Sequence, residues 1–238
     1  MATVAAVQPA SSTAESYSHV ERIGFAVFMI VGPLILLGAT IIHPKHGIRV
    51  NAGSEYYGAA YNHTTRFYIA HTMFFLAGAT LLPAVIGLTR LVRTTHPKAA
   101  FWGLVLSAMG FVSWGAFDGM DFMTYVAGSD KSLNTSTMQD YIDEALANQG
   151  VAIPTGIVFT LLVIGLIVIC LGLHRAGILN LGLALLLPIG IVGILSFLEY
   201  PPLEIASGLC VCASVGLVGF RQLRAPDVTV PAQPALVS

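Results

Sequence analysis

Two aspartates in a long apolar run are the strongest candidates for chemistry in this sequence. Asp118 and Asp121 are three residues apart, and this spacing places both carboxyl groups on one face of a helix. Two close carboxyl groups in a pocket of low dielectric constant do not both ionise readily. One of them would then stay protonated near neutral pH and could act as a general acid. The alternative is that the helix leaves the membrane at this point, about 20 residues after Phe101, and that both side chains are solvated.

Two histidines lie near ends of apolar runs. His71 interrupts an otherwise apolar stretch, and His43 ends the first apolar run directly before Pro44. Acid–base work, hydrogen bonding to a neighbouring helix, and ligation of a metal ion or a b-type haem all remain open for His71. We therefore name His71 as a candidate catalytic residue, and His43 and His71 as candidate cofactor ligands. Simple solvation at a helix end is the alternative for His43, and no set of metal ligands is assigned.

Two glutamates flank a rigid turn between the last two apolar runs. Glu199 precedes the Tyr-Pro-Pro turn at 200–202, and Glu204 follows within one helical turn. Their carboxyl groups could close a site opposite Asp118, and we name Glu199 as a further candidate catalytic residue. They could equally do no more than end the two helices. Ionisable groups inside membrane segments are costly and usually functional, so their convergence at one depth predicts a polar pocket near the outer face.

The composition indicates that membrane helices position these side chains. Of the 238 residues, 55% are hydrophobic and only 10% are charged, and the mean hydropathy is +0.79. Soluble domains have roughly 25% charged residues, so the composition argues against a single soluble globule. The formal net charge of −1 gives no basic excess with which to bind nucleic acid. The predicted partners are the lipid bilayer and a small or lipid-like ligand, and the predicted location is the plasma membrane.

Six apolar runs are each long enough to cross a bilayer. They cover about 23–42, 67–91, 99–126, 151–173, 178–198 and 203–220. Peptide groups in lipid must form hydrogen bonds within their own segment, so each run is predicted to be a helix. The predicted fold class is therefore an all-α, polytopic bundle of six transmembrane helices. This membrane domain covers 22–224, with disordered cytoplasmic tails over 1–21 and 225–238.

The basic residues predict the orientation of the bundle. Seven of the 11 lysines and arginines fall on the side that carries both termini, and the excess of Lys and Arg marks the cytoplasmic side. Both termini are therefore predicted to be cytoplasmic. Two long loops, 43–66 and 128–150, then lie outside, and the second is predicted to contain a short amphipathic helix that begins near Ser136.

Three classes of function fit these features. The favoured hypothesis is a membrane-embedded enzyme that applies acid–base chemistry to a small or lipid-like substrate. One alternative is a transporter or a structural subunit of a membrane complex, with carboxyl groups as proton or cation sites. The other is a redox protein that holds a b-type haem or a metal ion. The sequence has no zinc-protease, phosphate-loop, dinucleotide or serine-hydrolase motif that would select among them.

The predicted orientation can be tested by labelling single cysteines on intact cells. We expect Ser54→Cys and Ser132→Cys to react with an impermeant thiol reagent, because both lie in predicted outer loops. Thr95→Cys, in a predicted inner turn, should be protected. Labelling at Thr95→Cys together with protection at the other two positions would invert the orientation.

Overall fold

The structure is a computed structural model that describes residues 11–44, 53–196 and 200–225. The side chains of residues 11–18, 53–56 and 146 are not part of that description. Within the described ranges all regular secondary structure is helical. The predicted fold class is thus confirmed in its coarse form, while most of the two predicted tails, 1–10 and 226–238, lies outside the described residues.

The elements follow one another with short connections. In chain order, the described part contains α1 (Ser11–Ile42), α2 (Gly53–Asn62), α3 (Thr64–Arg93), α4 (Pro97–Ser129), α5 (Thr135–Ala147), α6 (Gln149–Arg175), α7 (Leu181–Ser196), α8 (Pro201–Val211), a π-helical segment (Cys212–Gly216) and α9 (Leu217–Arg224). The π-helical segment joins α8 and α9 into one continuous apolar helix, Pro201–Arg224.

Five helices of the described chain are long and apolar enough to cross a membrane. They are His19–Ile42, Thr64–Arg93, Pro97–Ser129, Gln149–Arg175 and Pro201–Arg224. The remaining apolar helix, α7, has only 16 residues, roughly 24 Å of rise against a hydrocarbon core of roughly 30 Å. The five long helices indicate a membrane-embedded protein, and a sixth crossing by α7 stays a prediction.

Two helices extend beyond what hydropathy predicted. α1 begins at Ser11, within the segment 1–21 that was predicted as a tail. Apolarity marks the part of a helix that suits lipid, and the helix itself can start earlier. α2 lies in the predicted outer loop 43–66 and was not foreseen, because its sequence is rich in glycine and tyrosine and lacks an apolar run.

α7 begins three residues later than predicted. Gly177 adopts a φ of 72°, a left-handed conformation that glycine adopts without steric cost. The Asn180 side chain then accepts a hydrogen bond of 2.9 Å from the backbone N–H of Leu183, as an N-cap does. Together these residues turn the chain sharply after α6 and delay the start of α7 to Leu181.

The long helices pack as neighbours in chain order, and the last returns to the first. α1 packs on α3, α3 on α4, α4 on α6, α6 on α7 and α7 on α8, and α8 and α9 pack on α1. Arg90 pairs with Glu21, Arg22 donates to the carbonyl oxygen of Gln222 at 3.2 Å, and Arg221 donates to a backbone carbonyl next to the start of α7. We call this the arginine end of the bundle. The opposite end, which carries His43 and His71, is called the histidine end.

Large apolar side chains stay exposed around the outside of the bundle. The exposed fractions reach 68% at Val112, 71% at Met123 and 56% at Ile157. A soluble monomer rarely exposes so much contiguous apolar surface. Lipid tails would cover these side chains, in agreement with the membrane assignment.

α4 and α6 approach each other through small residues. A Cβ atom placed on Gly165 of α6 would lie 2.5 Å from the backbone nitrogen of Ser107 and 2.9 Å from the carbonyl oxygen of Gly103. Close backbone approach at small residues is the usual way in which helices associate in lipid. The contact fixes how far α4 and α6 can slide along each other.

The α4–α6 contact can be tested with two alanine variants of one helix. Gly165→Ala should lower the free energy of unfolding by about 1–3 kcal/mol, because the added methyl group meets backbone atoms of α4. Gly156→Ala is the matched control, since nothing lies within 4 Å of its added Cβ. Unfolding in mixed micelles, followed by circular dichroism, measures both. Equal stability of the two variants would contradict the close approach.

Candidate functional site

The buried ionisable side chains gather at the histidine end of the bundle. Among described residues, the buried His, Asp and Glu side chains are His43, His71, Asp118, Asp121 and Glu204, with exposed fractions of 7%, 3%, 3%, 6% and 0%. Burying a charge is costly unless it is paired. Such a concentration of ionisable groups in an otherwise apolar bundle therefore marks the candidate site.

Burial of the two aspartates argues against their solvation at a helix end. α4 continues to Ser129, two turns beyond Asp121, and α2 packs across that extension with Ala60 against Gly128. The helix therefore stays covered by protein past the point where hydropathy alone would let it enter water. Both carboxyl groups lie in the interior of the bundle, on one face of α4, as their spacing predicts.

Trp114 shares a helix face with Asp118. It lies one turn before Asp118 on α4 and is buried. The indole packs against Gly78 of α3. The Oδ2 atom of Asp118 is buried and has no hydrogen-bond partner among the residues that the structure describes.

His71 and Asp121 form a direct pair between α3 and α4. The Nε2 atom of His71 lies 3.5 Å from Oδ2 of Asp121. The other ring nitrogen, Nδ1, lies 2.8 Å from the carbonyl oxygen of Phe67, one turn earlier on α3. The Phe67 ring stacks on the imidazole, with ring centroids 3.9 Å apart. The backbone carbonyl and the stacked ring fix the orientation of His71 toward Asp121.

The contacts of His71 indicate which ring nitrogen carries a hydrogen. A carbonyl oxygen only accepts hydrogen bonds, so Nδ1 of His71 carries a hydrogen and Nε2 is the nitrogen that faces Asp121. A hydrogen bond across the contact would need a proton either on Nε2 or on the carboxyl group.

His43 extends the cluster from α1. Its ring centroid lies 5.2 Å from that of His71 and 5.6 Å from that of Phe74. Two positive charges at 5.2 Å would repel by ~3 kcal/mol at an effective dielectric constant of about 20. At the same place, Nε of Arg66 donates to the carbonyl oxygen of Ile42 at 2.6 Å, so the end of α1 is fastened to the start of α3.

The structure describes only one of the two glutamates that flank the Tyr-Pro-Pro turn. Glu199, the predicted catalytic glutamate, lies outside the described residues, so its role stays a prediction. Glu204 lies in the first turn of α8 and is fully buried. The structure places Asp121 in contact with His71 and Asp118 one turn away on the same helix, and Glu204 is a further buried carboxyl group; their catalytic roles stay predictions.

The residues present do not fit a haem held by His43 and His71. Two axial imidazoles would have to face each other across a porphyrin plane. Here the two rings lie side by side with their planes at 58°, and Nε2 of His71 faces Asp121. α1 and α3 also touch directly one turn away, where a Cβ on Gly38 would lie 2.5 Å from Met73. In the described ranges no three His, Cys, Asp or Glu side chains converge as a bound metal ion requires.

Two aromatic residues near the site were missed by the sequence reasoning. Phe67 supplies both a stacked ring and the carbonyl group that orients His71. Its position four residues before His71, about one helical turn, is the sequence feature that could have indicated this contact. Tyr57 of α2 is fully buried. Its neighbours Ala59 and Ala60 pack with Phe67, so α2 covers the histidine end of the bundle.

The helix in the second long connection starts earlier than its sequence indicated. α5 begins at Thr135, and the side chain of Asn134 caps it by accepting from the backbone N–H of Thr137 at 3.0 Å. The predicted cap, Ser136, instead donates its hydroxyl group to the same Asn134 oxygen at 2.8 Å. α5 packs on α2 and α6, and its position outside the cell stays a prediction.

Comparison of the chain with known protein families, with characterised proteins and with solved structures found no match. The function is therefore argued from the site itself.

The misfit to haem leads to a spectroscopic prediction. We expect the protein purified from membranes supplied with haem to show no Soret absorbance that depends on His43 or His71. The comparison uses His43→Ala and His71→Ala, with His96→Ala at the arginine end as the control. A Soret band that both site variants lose and the control keeps would show that the two imidazoles do hold a haem.

Proposed function

We propose that this protein is a membrane-embedded enzyme that transfers protons to or from a small or lipid-like substrate. The observation that carries the proposal is the buried contact of 3.5 Å between Nε2 of His71 and Oδ2 of Asp121, one turn from the Asp118 carboxyl group. A general acid–base site needs a group that can hold a proton and a second that can take it. His71 on α3 and the two aspartates on one face of α4 together supply the group that holds the proton and the group that takes it.

The Asp118 carboxyl group is the proposed point of contact with the substrate. Its Oδ2 atom is buried with no hydrogen-bond partner in the described part of the chain. A buried polar atom without a partner is costly, and a hydroxyl, amine or carbonyl-derived group of a substrate would offset that cost. We assign substrate binding to Asp118 and proton transfer to Asp121, with His71 as its proton partner.

The surroundings of the site favour a substrate with apolar parts. Phe111 stacks with Trp114 at a centroid separation of 6.3 Å, and Phe159 of α6 meets Trp114 edge-on at 6.4 Å. Phe111 and Trp114 are buried and Phe159 is partly buried against them, so apolar rings flank the carboxyl groups on the α6 side. A molecule that dissolves in the bilayer could contact Asp118 without crossing water. We propose the plasma membrane as the location and the bilayer as the source of this substrate.

A proton- or cation-coupled transporter is the second candidate, and one observation favours it. The last long helix contains a π-helical segment, Cys212–Gly216, and the Cys212 thiol donates to the carbonyl oxygen of Pro33 in α1 at 3.3 Å. At the same level, Pro33 within α1 has no backbone N–H to donate. π-Helical turns occur often at functional sites, and interrupted helices form the binding sites of many transporters.

The proposal is tested with the full chain in lipid vesicles. Vesicles with and without the protein are incubated with a bacterial lipid extract, and the products are compared by mass spectrometry. We expect the wild-type chain to convert at least one component. Asp121→Asn and Asp118→Asn should each slow this conversion by about a hundredfold or more, because Asn keeps the shape but does not exchange a proton in the same way.

Asp140→Asn is the matched control, because Asp140 is exposed on α5; it should leave conversion unchanged. Helix content and elution volume of each variant establish that it is folded. Wild-type conversion in both site variants would remove the pair from the reaction. Proton uptake by wild-type vesicles that both site variants lose, without any conversion, would replace the enzyme with the transporter.

A further inference from the structure

The arginine end of the bundle has two sides that differ in how their cations are satisfied. On the side of α1 and α9 the guanidinium groups have partners within the chain. Arg90 pairs with Glu21, and Arg22 donates to a backbone carbonyl group. Arg224 lies over the ring of Phe220, 4.0 Å from its centroid. The other side, where α3 and α6 end and α4 begins, carries cations whose partners the chain does not supply.

The ends of three helices meet on that second side. A Cβ atom placed on Gly172 of α6 would lie 2.6 Å from the Val92 side chain of α3 and 3.6 Å from the Ala99 side chain of α4. Each of these helices carries a basic residue within about one turn of the contact: Arg93, Lys98 and Arg175. We call these three residues the basic junction. Their side chains start from neighbouring helix ends and are all exposed.

No carboxyl group neutralises the basic junction in the part of the chain that the structure describes. None of its three side chains has a hydrogen bond or an ion pair with a described residue. The sequence explains why, since no Asp or Glu occurs in 56–117 or in 145–198. Of the acidic residues nearer to this end, Glu21 is already paired, and the side chains of Glu15 and Asp227 lie outside the described residues. The junction therefore offers its charge to an anion from outside the chain.

Two aromatic rings place the junction at the depth of lipid headgroups. Trp102 lies one turn after Lys98 on α4 and is 56% exposed, and the adjacent Phe101 is 59% exposed. The two rings meet edge to face, with centroids 5.2 Å apart. Exposed tryptophan rings are enriched at the boundary between the hydrocarbon core and the headgroups. Lys98, one turn nearer to the helix end, then lies at the level of the lipid phosphate groups.

We propose that the basic junction binds the phosphate group of an anionic phospholipid, whose acyl chains lie against the exposed rings of Phe101 and Trp102. Guanidinium groups bind phosphate oxygens through paired hydrogen bonds, and an ammonium group adds a further charge. The apolar rings beside the junction favour a lipid over a soluble anion, because only a lipid covers both surfaces. In the predicted orientation this end faces the cytoplasmic leaflet, which carries anionic lipids. The site is separate from the acid–base site at the histidine end.

The lipid preference is measured by tryptophan fluorescence of the full chain in vesicles. Phosphatidylcholine is mixed with phosphatidylglycerol, and the acyl chains of one or the other are brominated, because bromine quenches a tryptophan ring that it contacts. Trp114 is only 4% exposed, and a Trp102→Phe variant gives its signal for subtraction. We expect the lipid site beside Trp102 to bind phosphatidylglycerol about tenfold or more tightly than phosphatidylcholine.

Removal of single charges tests whether the basic junction causes this preference. Arg93→Gln, Lys98→Gln and Arg175→Gln should each lower it by about fivefold, and the triple variant should abolish it, because each loses attraction to the lipid phosphate. Arg93→Lys keeps the charge and should keep most of the preference. Arg224→Gln is the matched control, because it removes the same charge from the same end but outside the junction; it should leave the preference unchanged.

Three results would overturn the inference. Equal binding of the two lipids by the unsubstituted chain would do so without any variant. Equal losses in Arg224→Gln and Arg93→Gln would show a diffuse attraction to the whole end instead of a site. Loss of the preference in excess inorganic phosphate, at constant ionic strength, would assign the junction to a soluble phosphate. Helix content and elution volume establish that each variant is folded.

Discussion

Hydrogen bonding of peptide groups in apolar surroundings is the constraint on which the rest of this structure depends. Lipid offers these groups no partners, so each long segment is a helix. Apolar helices gain little by burying apolar surface against one another, and they associate through close packing instead. Here that packing occurs at small residues such as Gly38 of α1, which lies against Met73 of α3, and Gly78 of α3, which lies against Trp114 of α4. Because such contacts allow little sliding, they set the register that brings His43 and His71 to the level of Asp121.

The two ends of the bundle use charge in different ways. At the arginine end, Arg90 and Glu21 pair while still partly exposed, an arrangement that contributes little free energy but costs little. At the histidine end the ionisable groups are buried, where each must be compensated by a neighbour. A buried pair such as His71–Asp121 is weak evidence for added stability. The proposed proton transfer would give such a pair a function.

Part of the candidate site can be predicted from the sequence, and part depends on how the helices pack. The shared face of Asp118 and Asp121 follows from spacing alone, and the interruption of an apolar run by His71 is visible without coordinates. The pairing of His71 with Asp121 is not, because it depends on the rotation of α3 and α4 about their axes. The choice between solvated and buried carboxyl groups was also beyond hydropathy, since α2, which covers the end of α4, has no apolar run.

What the sequence by itself determined is the helical class, the membrane environment and the approximate limits of the long helices. These properties follow from local composition, because the peptide groups of an apolar segment have no alternative to a helix. Only the tertiary structure decided that α7 begins at Leu181, that Glu204 joins the buried set, and that the rings of His43 and His71 lie at 58°. Such features depend on contacts between distant segments, and their geometry is set by side-chain volumes at the interfaces, which no local pattern records.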